Sequence, residues 1–567
     1  MRLWHSALVL ALLVLAMHHP LVSGGLLGEA GTDVFRAVWG FDHQARGLPL
    51  PFWTERVGFP AGVKLVILPF VSTLLGAPLH LIFGPWVGYN LWMLALVVAG
   101  GVTTAWWVGE ASRSPSAGLL AGVAMVTQPS LLLALTDGTP EHVAFWSLPA
   151  LFAALWQTSR SPLRRWPLVA GIFATVVALD SPYHAVFSVP LVLGLLWRCT
   201  WRGRGRFVAT AAAGVVLVGL LYYKLPLAGP VDNRWDNAAK LSVWAQWDLR
   251  RVATAWDYTY TPAFIPVLSM LAAVGLAVLR PSRSWPWLLA AAGFLGLALG
   301  GNQENAVVLG DWIPGVGESV GDAVVAVNDA LAPSSIRFPR RWLVPAALAL
   351  WTAAGLGLSR LPAEWMRLFV AVPVASGLVW LTLDRTGYHE AFPKLEVPAP
   401  AFATFVHDHE LDGAALVLPT VRGASRKHER FELPIFAELD DSIRSADGPF
   451  LQVALGRPLV NAPQGLFTLV ARSRQADEVA RLVQDLNDLC TPQTMGTAIA
   501  PSALQEPARR AAAARYLVER GLRFVVLDEA LYGSEGLKWA RLPFAGHLAE
   551  ERRFDDGSGV SVFVLQP

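Results

Sequence analysis

Charged side chains are scarce. They make up 16% of the 567 residues, while hydrophobic residues reach 54%; soluble domains carry about 25% charged residues. Such a chain has lipid as part of its solvent, which excludes a soluble enzyme of this size and, through its apolar content, a disordered protein. Neither sign of charge dominates. The 45 Lys and Arg stand against 43 Asp and Glu, a formal net charge of +2, so no nucleic-acid partner follows from the charge. Cysteine is nearly missing: Cys199 and Cys490 cannot make a disulfide framework. Also missing are a P-loop, an H-E-x-x-H pair, a G-x-S-x-G elbow and a GxGxxG in its strand context.

What the sequence has instead is long apolar runs. A spanning helix needs roughly 20 mostly apolar residues to cross a ~30 Å hydrocarbon layer. Candidates centre near Leu12, Leu74, Leu96, Ala124, Leu151, Val176, Leu191, Val216, Leu271, Leu295, Ala347 and Val374. The first follows Arg2 but lacks an A-x-A-like cleavage site, so it reads as an uncleaved helix. Four basic clusters lie two candidates apart: Arg160, Arg164 and Arg165; Arg198, Arg202, Arg204 and Arg206; Arg280 and Arg283; Arg360 and Arg367. The positive-inside rule puts all four in the cytoplasm. A cytoplasmic N-terminus then requires that one early candidate not cross. Residues Gly62 to Phe83, with Pro69, Pro78, Lys64 and His80, fit best as a re-entrant or interfacial pair of short helices. The expectation is an α-helical polytopic membrane protein with about eleven spans over residues 1–384, followed by an extracytoplasmic α/β domain over 385–567.

On this topology the loops from Gly24, from Pro226 to Thr261 and from Asn302 to Arg341 face outward. Glu29 and Asp42 in the first loop read as solvated carboxylates. Asp33 heads an amphipathic stretch, with Val34, Val38 and Phe41 at helical spacing, expected to lie on the bilayer. The turn DGTPEH spaces Asp137 and Glu141 four apart, so both can converge on one ligand or ion. Ionisable groups at the mouth of a spanning helix are costly unless they are used. The stretch SSIRFPRRW brings Arg337, Arg340 and Arg341 to the outer side, against the charge rule. Phosphate binding or snorkelling to headgroups would each explain them. Asp180, Tyr183 and His184 read as a structural outward turn. His407 to Glu410 splits between helix faces and does not make a metal site. The many Trp, such as Trp86, Trp106 and Trp107, suggest an interfacial belt. In the tail, Ala414 to Leu418, Phe524 to Leu527 and the terminal GVSVFVLQP have strand character, and Pro507 to Arg520 is helical with Gly521 behind it.

The acidic residue after the first helix, the "GFPAG" segment and AGLLAGVAMVTQPSLLLALTDGTPE together resemble the GT-C fold membrane glycosyltransferases, among them oligosaccharyltransferase catalytic subunits. NLWMLALVVAGG, SSIRFPRRW and GLRFVVLDEALYG are closer to a large group of bacterial multi-pass proteins assigned to that fold. The resemblance covers most of the chain and is strongest over residues 25 to 160. It implies a polyprenyl-phosphate-linked sugar donor and a glycan, lipid or protein acceptor at the outer face of the cytoplasmic membrane. Asp33 matches the first-loop catalytic acid, and Asp137 with Glu141 the second-loop acidic pair. No WWDYG-type motif is present, which argues against a peptide acceptor.

Residue chemistry agrees with this implication, because sugar transfer needs a carboxylate to take the acceptor's proton and cations to meet the departing phosphate. Asp33 would be the base, and Arg337 and Arg340 the phosphate ligands. A divalent cation, Mg or Mn, held by Asp137 and Glu141 is compatible with the pattern but not required by it. Two other classes stay open: a polytopic lipid or glycan transporter, which would place polar residues deep in its helices, and a non-catalytic assembly subunit that keeps the fold.

Overall fold

The computed structural model describes residues 3–22, 26–28, 34–47, 53–54, 56, 59–60, 63–64, 69–136, 138–161, 165–223, 267–298, 319, 323, 342–385, 394–395, 401–418, 453, 455–460, 469–470, 478–479, 481–483, 485–486, 489, 506–554 and 559–567. Long apolar runs become helices because a backbone in lipid must satisfy its own hydrogen bonds. They are α1 (Leu3–Val22), α3 (Phe70–Ser112), α4 (Pro115–Val126), α5 (Pro129–Thr136), α7 (Ser147–Arg160), α8 (Arg165–Asp180), α9 (Pro182–Trp197), α10 (Trp201–Tyr223), α11 (Val267–Ala277), α12 (Pro281–Ala298), α13 (Leu343–Leu358) and α14 (Glu364–Arg385). The short α6 (Pro140–Val143) and the amphipathic α2 (Val34–Arg46) lie between them. Large apolar side chains point outward along the bundle, such as Leu81 at 65% exposure, Ile172 at 56% and Phe369 at 75%. Water would not tolerate that much apolar surface; lipid does. Phe70–Ser112 and Glu364–Thr382 each have the length and hydropathy of a span. Trp4–His18, Pro115–Val126, Tyr183–Trp197 and Leu343–Leu358 are apolar but shorter, so the count of eleven stays an expectation.

The bundle core is built on small residues. On α4, a Cβ added to Gly118 would strike the Ala105 carbonyl, and one on Gly122 would strike the Gly101 carbonyl, so α3 and α4 pack with their backbones nearly touching. Polar side chains link other pairs. Trp107 Nε1 on α3 donates to Thr352 Oγ1 on α13 at 3.0 Å, and Thr382 Oγ1 donates at 3.2 Å to the Thr127 carbonyl at the break between α4 and α5. Trp107 is fully buried among Phe152, Trp156 and Trp287, so it is no part of an interfacial belt. Among the described residues the exposed indoles are Trp4, Trp197, Trp201, Trp285, Trp365 and Trp380.

The turns following α3, α7, α9, α11 and α13 collect at one end. Arg280 reaches Ser359 Oγ at 3.2 Å, Gln157 reaches Glu110 at 2.7 Å, Arg160 and Arg198 both lie 5.6 Å from the Trp156 ring centre, and Glu364 accepts from the Ser116 amide at 2.8 Å. We refer to this as the arginine end.

Segment 62–83 differs from the expected pair of short helices. Val63–Lys64 forms strand β3, paired with β2 (Trp53–Thr54), and Pro78 sits inside one continuous helix. At Gly84 that helix breaks, with φ 75° and ψ −178°, a region open essentially to glycine. The chain then doubles back. Gly88 abuts Leu79 and His80, Gly76 abuts Trp92, and Trp92 Nε1 donates to the Ser72 carbonyl at 2.9 Å, so α3 begins as an antiparallel hairpin at the end opposite the arginines.

The C-terminal region is α/β. Strands β5 (Ala414–Leu418), β7 (Leu522–Asp528), β9 (Val560–Leu565) and β8 (Leu548–Phe554) form a sheet in the order β5-β7-β9-β8, with only the β5/β7 pair parallel. Helices α15 (Ala401–Asp408), α16 (Pro507–Glu519) and α17 (Glu529–Arg541) accompany it. α16 leads through Gly521 into β7, as the sequence indicates, and buries Ala514, Leu517 and Val518 in the core of this layer. Two short ladders tie the stretch between α1 and α3 to the C-terminal half: β1 (Leu26–Leu27) pairs with β4 (Lys394–Leu395), and β3 pairs with β6 (Leu469–Val470).

Candidate functional site

The polar residues that lack an obvious structural partner in the sequence sit at the end opposite the arginines. α2 is amphipathic as the spacing of Val34, Val38 and Phe41 requires, and all three are buried. Their cover is protein rather than bilayer, which corrects the expected surface-lying helix. Phe41 stacks on Trp92 of the hairpin with ring centres 4.6 Å apart, and Gln44 Nε2 donates to the Phe70 carbonyl at 3.0 Å.

Asp42 is not a solvated carboxylate. It is fully buried and receives three charged or polar donors: His80 Nε2 at 2.8 Å, Arg56 Nη2 at 2.7 Å and Arg46 Nε at 2.8 Å. Burial alone would raise its pKa, but the hydrogen bond with His80, the Arg56 charge and the Arg46 bond outweigh it and hold the carboxyl well below the usual carboxylate range. Asp42 is therefore an ionised hub joining α2, the hairpin and the segment of Arg56.

Asp180 does a comparable task at the end of α8. Its carboxylate accepts from the Ser72 amide at 2.9 Å and from Ser72 Oγ at 2.6 Å, across 108 residues of sequence. Trp146 Nε1 completes the set by donating to Ser72 Oγ at 2.8 Å. A helix start leaves amides unsatisfied, and here a neighbouring helix supplies the acceptor for α3. The structural reading of Asp180 has its physical basis in this bond.

Ser181 follows and caps α9, accepting from the His184 amide at 3.4 Å. The cap aims Tyr183 and His184 at the DGTPEH turn. His142 lies 5.7 Å from Tyr183 and 6.3 Å from His184 between ring centres, and its Nε2 is 3.7 Å from Glu141 Oε1. Both imidazoles are buried, and Glu141 is half-buried. One turn further along α9, Phe187 packs on Trp342 with ring centres 3.7 Å apart. Trp342 is the residue that follows SSIRFPRR. The chain thus brings the ends of the Glu141 turn, the Tyr183 turn and α13 together.

Gly138 connects this group to α2. It adopts φ 63°, and a Cβ there would collide with the backbone of Val34, the first residue of α2. Asp33 and Asp137 are the chain neighbours of these two contacting residues. Asp33, Asp137, Arg337 and Arg340 themselves lie outside the described residues, as do Glu29, Arg341 and the loop 226–261. Of the residues singled out in the sequence for chemistry, Glu141 is the one the structure describes.

As for a divalent cation, no three His, Cys, Asp or Glu side chains converge among the described residues. Glu141 and His142 offer an oxygen and a nitrogen donor, which suits Mg, Mn or Zn only with further ligands. In the C-terminal region His407 pairs with Asp408 at 2.7 Å, while His409 stands edge-on to Phe405 and Phe524.

Sequence reasoning missed Asp42, His80, Arg56 and the Asp180–Ser72 bond. One signal was available: Asp42 follows Phe41 within a helix, close to its apolar stripe, where a carboxylate is buried unless the stripe is uncovered. For Ser72 no local signal exists.

Neither the family models nor the curated proteins contain a match to this sequence. Among solved structures, the mycobacterial arabinofuranosyltransferase AftD is similar over 100% of this chain and 41% of its own, with a TM-score of 0.54 at 17% identity. This chain thus spans less than half the length of that protein. The apo oligosaccharyltransferase of Archaeoglobus fulgidus matches with a TM-score of 0.44 at 11% identity, over 100% of this chain and 74% of that one. ArnT from Cupriavidus metallidurans bound to undecaprenyl phosphate matches at 0.38 and 13%, over 99% and 97%. The likeness to AftD shows the fold: the chain is a polytopic membrane protein with the GT-C-like fold.

Proposed function

We propose that the chain is a membrane glycosyltransferase that moves a sugar from a polyprenyl-phosphate-linked donor to an acceptor at the outer face of the cytoplasmic membrane. The observation that carries this reading is the contact of Val34 with Gly138. It joins the helix that follows Asp33 in sequence to the turn of Gly138 and Glu141, at the end of the bundle where Trp342, the residue after Arg337, Arg340 and Arg341 in sequence, also packs. The names of the similar structures support the reaction class: an arabinofuranosyltransferase and a protein bound to undecaprenyl phosphate. The gathering of the basic turns at the other end supports a cytoplasmic arginine end and an extracytoplasmic C-terminal α/β domain.

In this reading Asp33 takes the proton from the acceptor hydroxyl as its oxygen attacks the anomeric carbon of the donor sugar. The bond from that carbon to the phosphate oxygen breaks, and the electron pair leaves with the polyprenyl phosphate. Arg337 and Arg340 meet the charge on that phosphate, for which a planar guanidinium is suited through paired N–H donors. Asp137 and Glu141 bind the acceptor, or would hold a divalent cation, whose contribution when bound is to neutralise phosphate charge. Buried His142 and His184 with Tyr183 form the wall against which that turn is set.

The test is Asp33→Asn in membranes supplied with labelled lipid-linked sugars. Transfer should fall at least about 100-fold, as expected for loss of a general base, with protein abundance unchanged. A fully active Asn variant removes Asp33 from the role. Arg337→Lys and Arg340→Lys should weaken polyprenyl phosphate binding by about 10- to 150-fold, the equivalent of one charge-assisted hydrogen bond. Unchanged affinity in both would leave these arginines as headgroup anchors only.

A further inference from the structure

The clamp on Asp42 has a second attachment. Arg56 holds Asp42 through its side chain at 2.7 Å, and its backbone carbonyl accepts from the Leu459 amide at 2.8 Å. Three residues later the Phe59 amide donates to the Leu459 carbonyl at 3.0 Å. Residues 458–460 in turn lie along the edge of β5: the Ala415 amide donates to the Pro458 carbonyl at 2.7 Å, and the Val460 amide donates to the Ala415 carbonyl at 2.9 Å. The ring of Phe59 packs on the buried cluster that contains Leu517, Val518 and Leu522. The first outer loop is thus added to the C-terminal sheet, beyond its β5 edge, by main-chain bonds that need no particular side chain. One side chain in this stretch, that of Arg56, reaches back to α2.

We propose that Arg56 is a positioning residue through which the C-terminal α/β domain holds α2 in place against the Gly138 turn. The domain is then part of the frame of the site and not a detachable module for the acceptor. Asp42 is the receiving group. It sits two turns after Val34 on a helix whose apolar stripe is already packed on the hairpin, so the ion pair fixes the helix along its axis, where apolar packing discriminates poorly. His80 secures the same carboxylate from the hairpin side. An Arg suits this position better than Lys, because its side chain bonds the carboxylate in a fixed plane while its backbone is held in the added strand. What α2 positions rests on the proposed role of Asp33; that Arg56 positions α2 does not.

Hydrogen–deuterium exchange on the full-length protein in nanodiscs tests the link without any substrate. In Arg56→Ala, amides of residues 34–46 should exchange at least about 10-fold faster, while the Leu459 amide, which is held by the main chain of residue 56, should keep its protection. Arg56→Lys should fall between the variant and the native chain. Asp42→Asn should loosen residues 34–46 in the same way, whereas Glu364→Gln at the arginine end should leave them unchanged. Unaltered exchange over 34–46 in both Arg56→Lys and Asp42→Asn, with the protein folded, overturns the proposal. In transfer assays the Arg56 variants should lose about 10-fold or more in turnover with polyprenyl phosphate affinity unchanged within about twofold. Affinity falling in parallel with turnover would make Arg56 a donor ligand and overturn the positioning role. If no transfer activity exists, the exchange result still decides the matter.

Discussion

The two ends of the bundle handle charge in opposite ways. At the arginine end, guanidinium groups lie over Trp156 and Trp166 or bond to turn carbonyls, and Glu364 caps α4 while its side chain stays 43% exposed. These groups are partly exposed, so each has cheap alternatives. At the opposite end, Asp42 and Asp180 are fully buried, and each joins elements far apart in sequence. A buried carboxylate has no such alternatives, so it persists only where several donors converge on it. In the proposed reading the first end orients the protein in its membrane and the second holds the geometry of the site.

Removing Asp180 should give the largest effect on stability. Asp180→Ala leaves the amide and hydroxyl of Ser72 buried without their acceptor, a cost of about 1–3 kcal/mol. Thermal unfolding in detergent should shift accordingly, with Asp180→Asn recovering part of the loss. A native-like melting curve for Asp180→Ala would erase the distinction between the two ends.

Gly138→Ala comes next. A left-handed backbone costs a non-glycine residue roughly 1–2 kcal/mol, and the new methyl group meets the Val34 backbone. Transfer activity should therefore fall more than stability does. Equal losses in both would mean that the contact between α2 and the turn matters only for folding.

Glu364→Gln should do least. Its pair with Arg367 is partly exposed, and its bonds to Ser114 and Ser116 are of the kind an amide can partly replace. A change below about 1 kcal/mol in stability is expected, with no change in transfer. A larger loss than that of Asp180→Ala would reverse the comparison.

Much of the fold is legible in the chain because its causes are local. The helical spacing of Val34, Val38 and Phe41 gives α2, the run after Pro507 gives α16, and the clusters at Arg160, Arg198, Arg280 and Arg360 gather at one end because alternate turns of an up-and-down bundle must do so. Less was legible in the site. Asp33, Asp137 and Glu141 stand out by residue type and place in the loops, but in the sequence Asp42 reads as a solvated group and His80 only as an obstacle to crossing. Their meaning depends on which segment each one faces.

What the sequence by itself determined is the solvent of the chain, the helical content, the gathering of its basic turns at one end of the bundle and the α/β character of its C-terminal region. Each of these is set by composition or by periodicity over a few residues, where backbone hydrogen bonding and burial leave little choice. Tertiary structure alone decided that α2 packs on a hairpin instead of the bilayer, that the main chains of Arg56 and Phe59 bond to Leu459 beside the C-terminal sheet, and that Ser72 meets Asp180. Those contacts join segments dozens to hundreds of residues apart, and an apolar stripe or a lone carboxylate specifies that it must be covered without specifying by what.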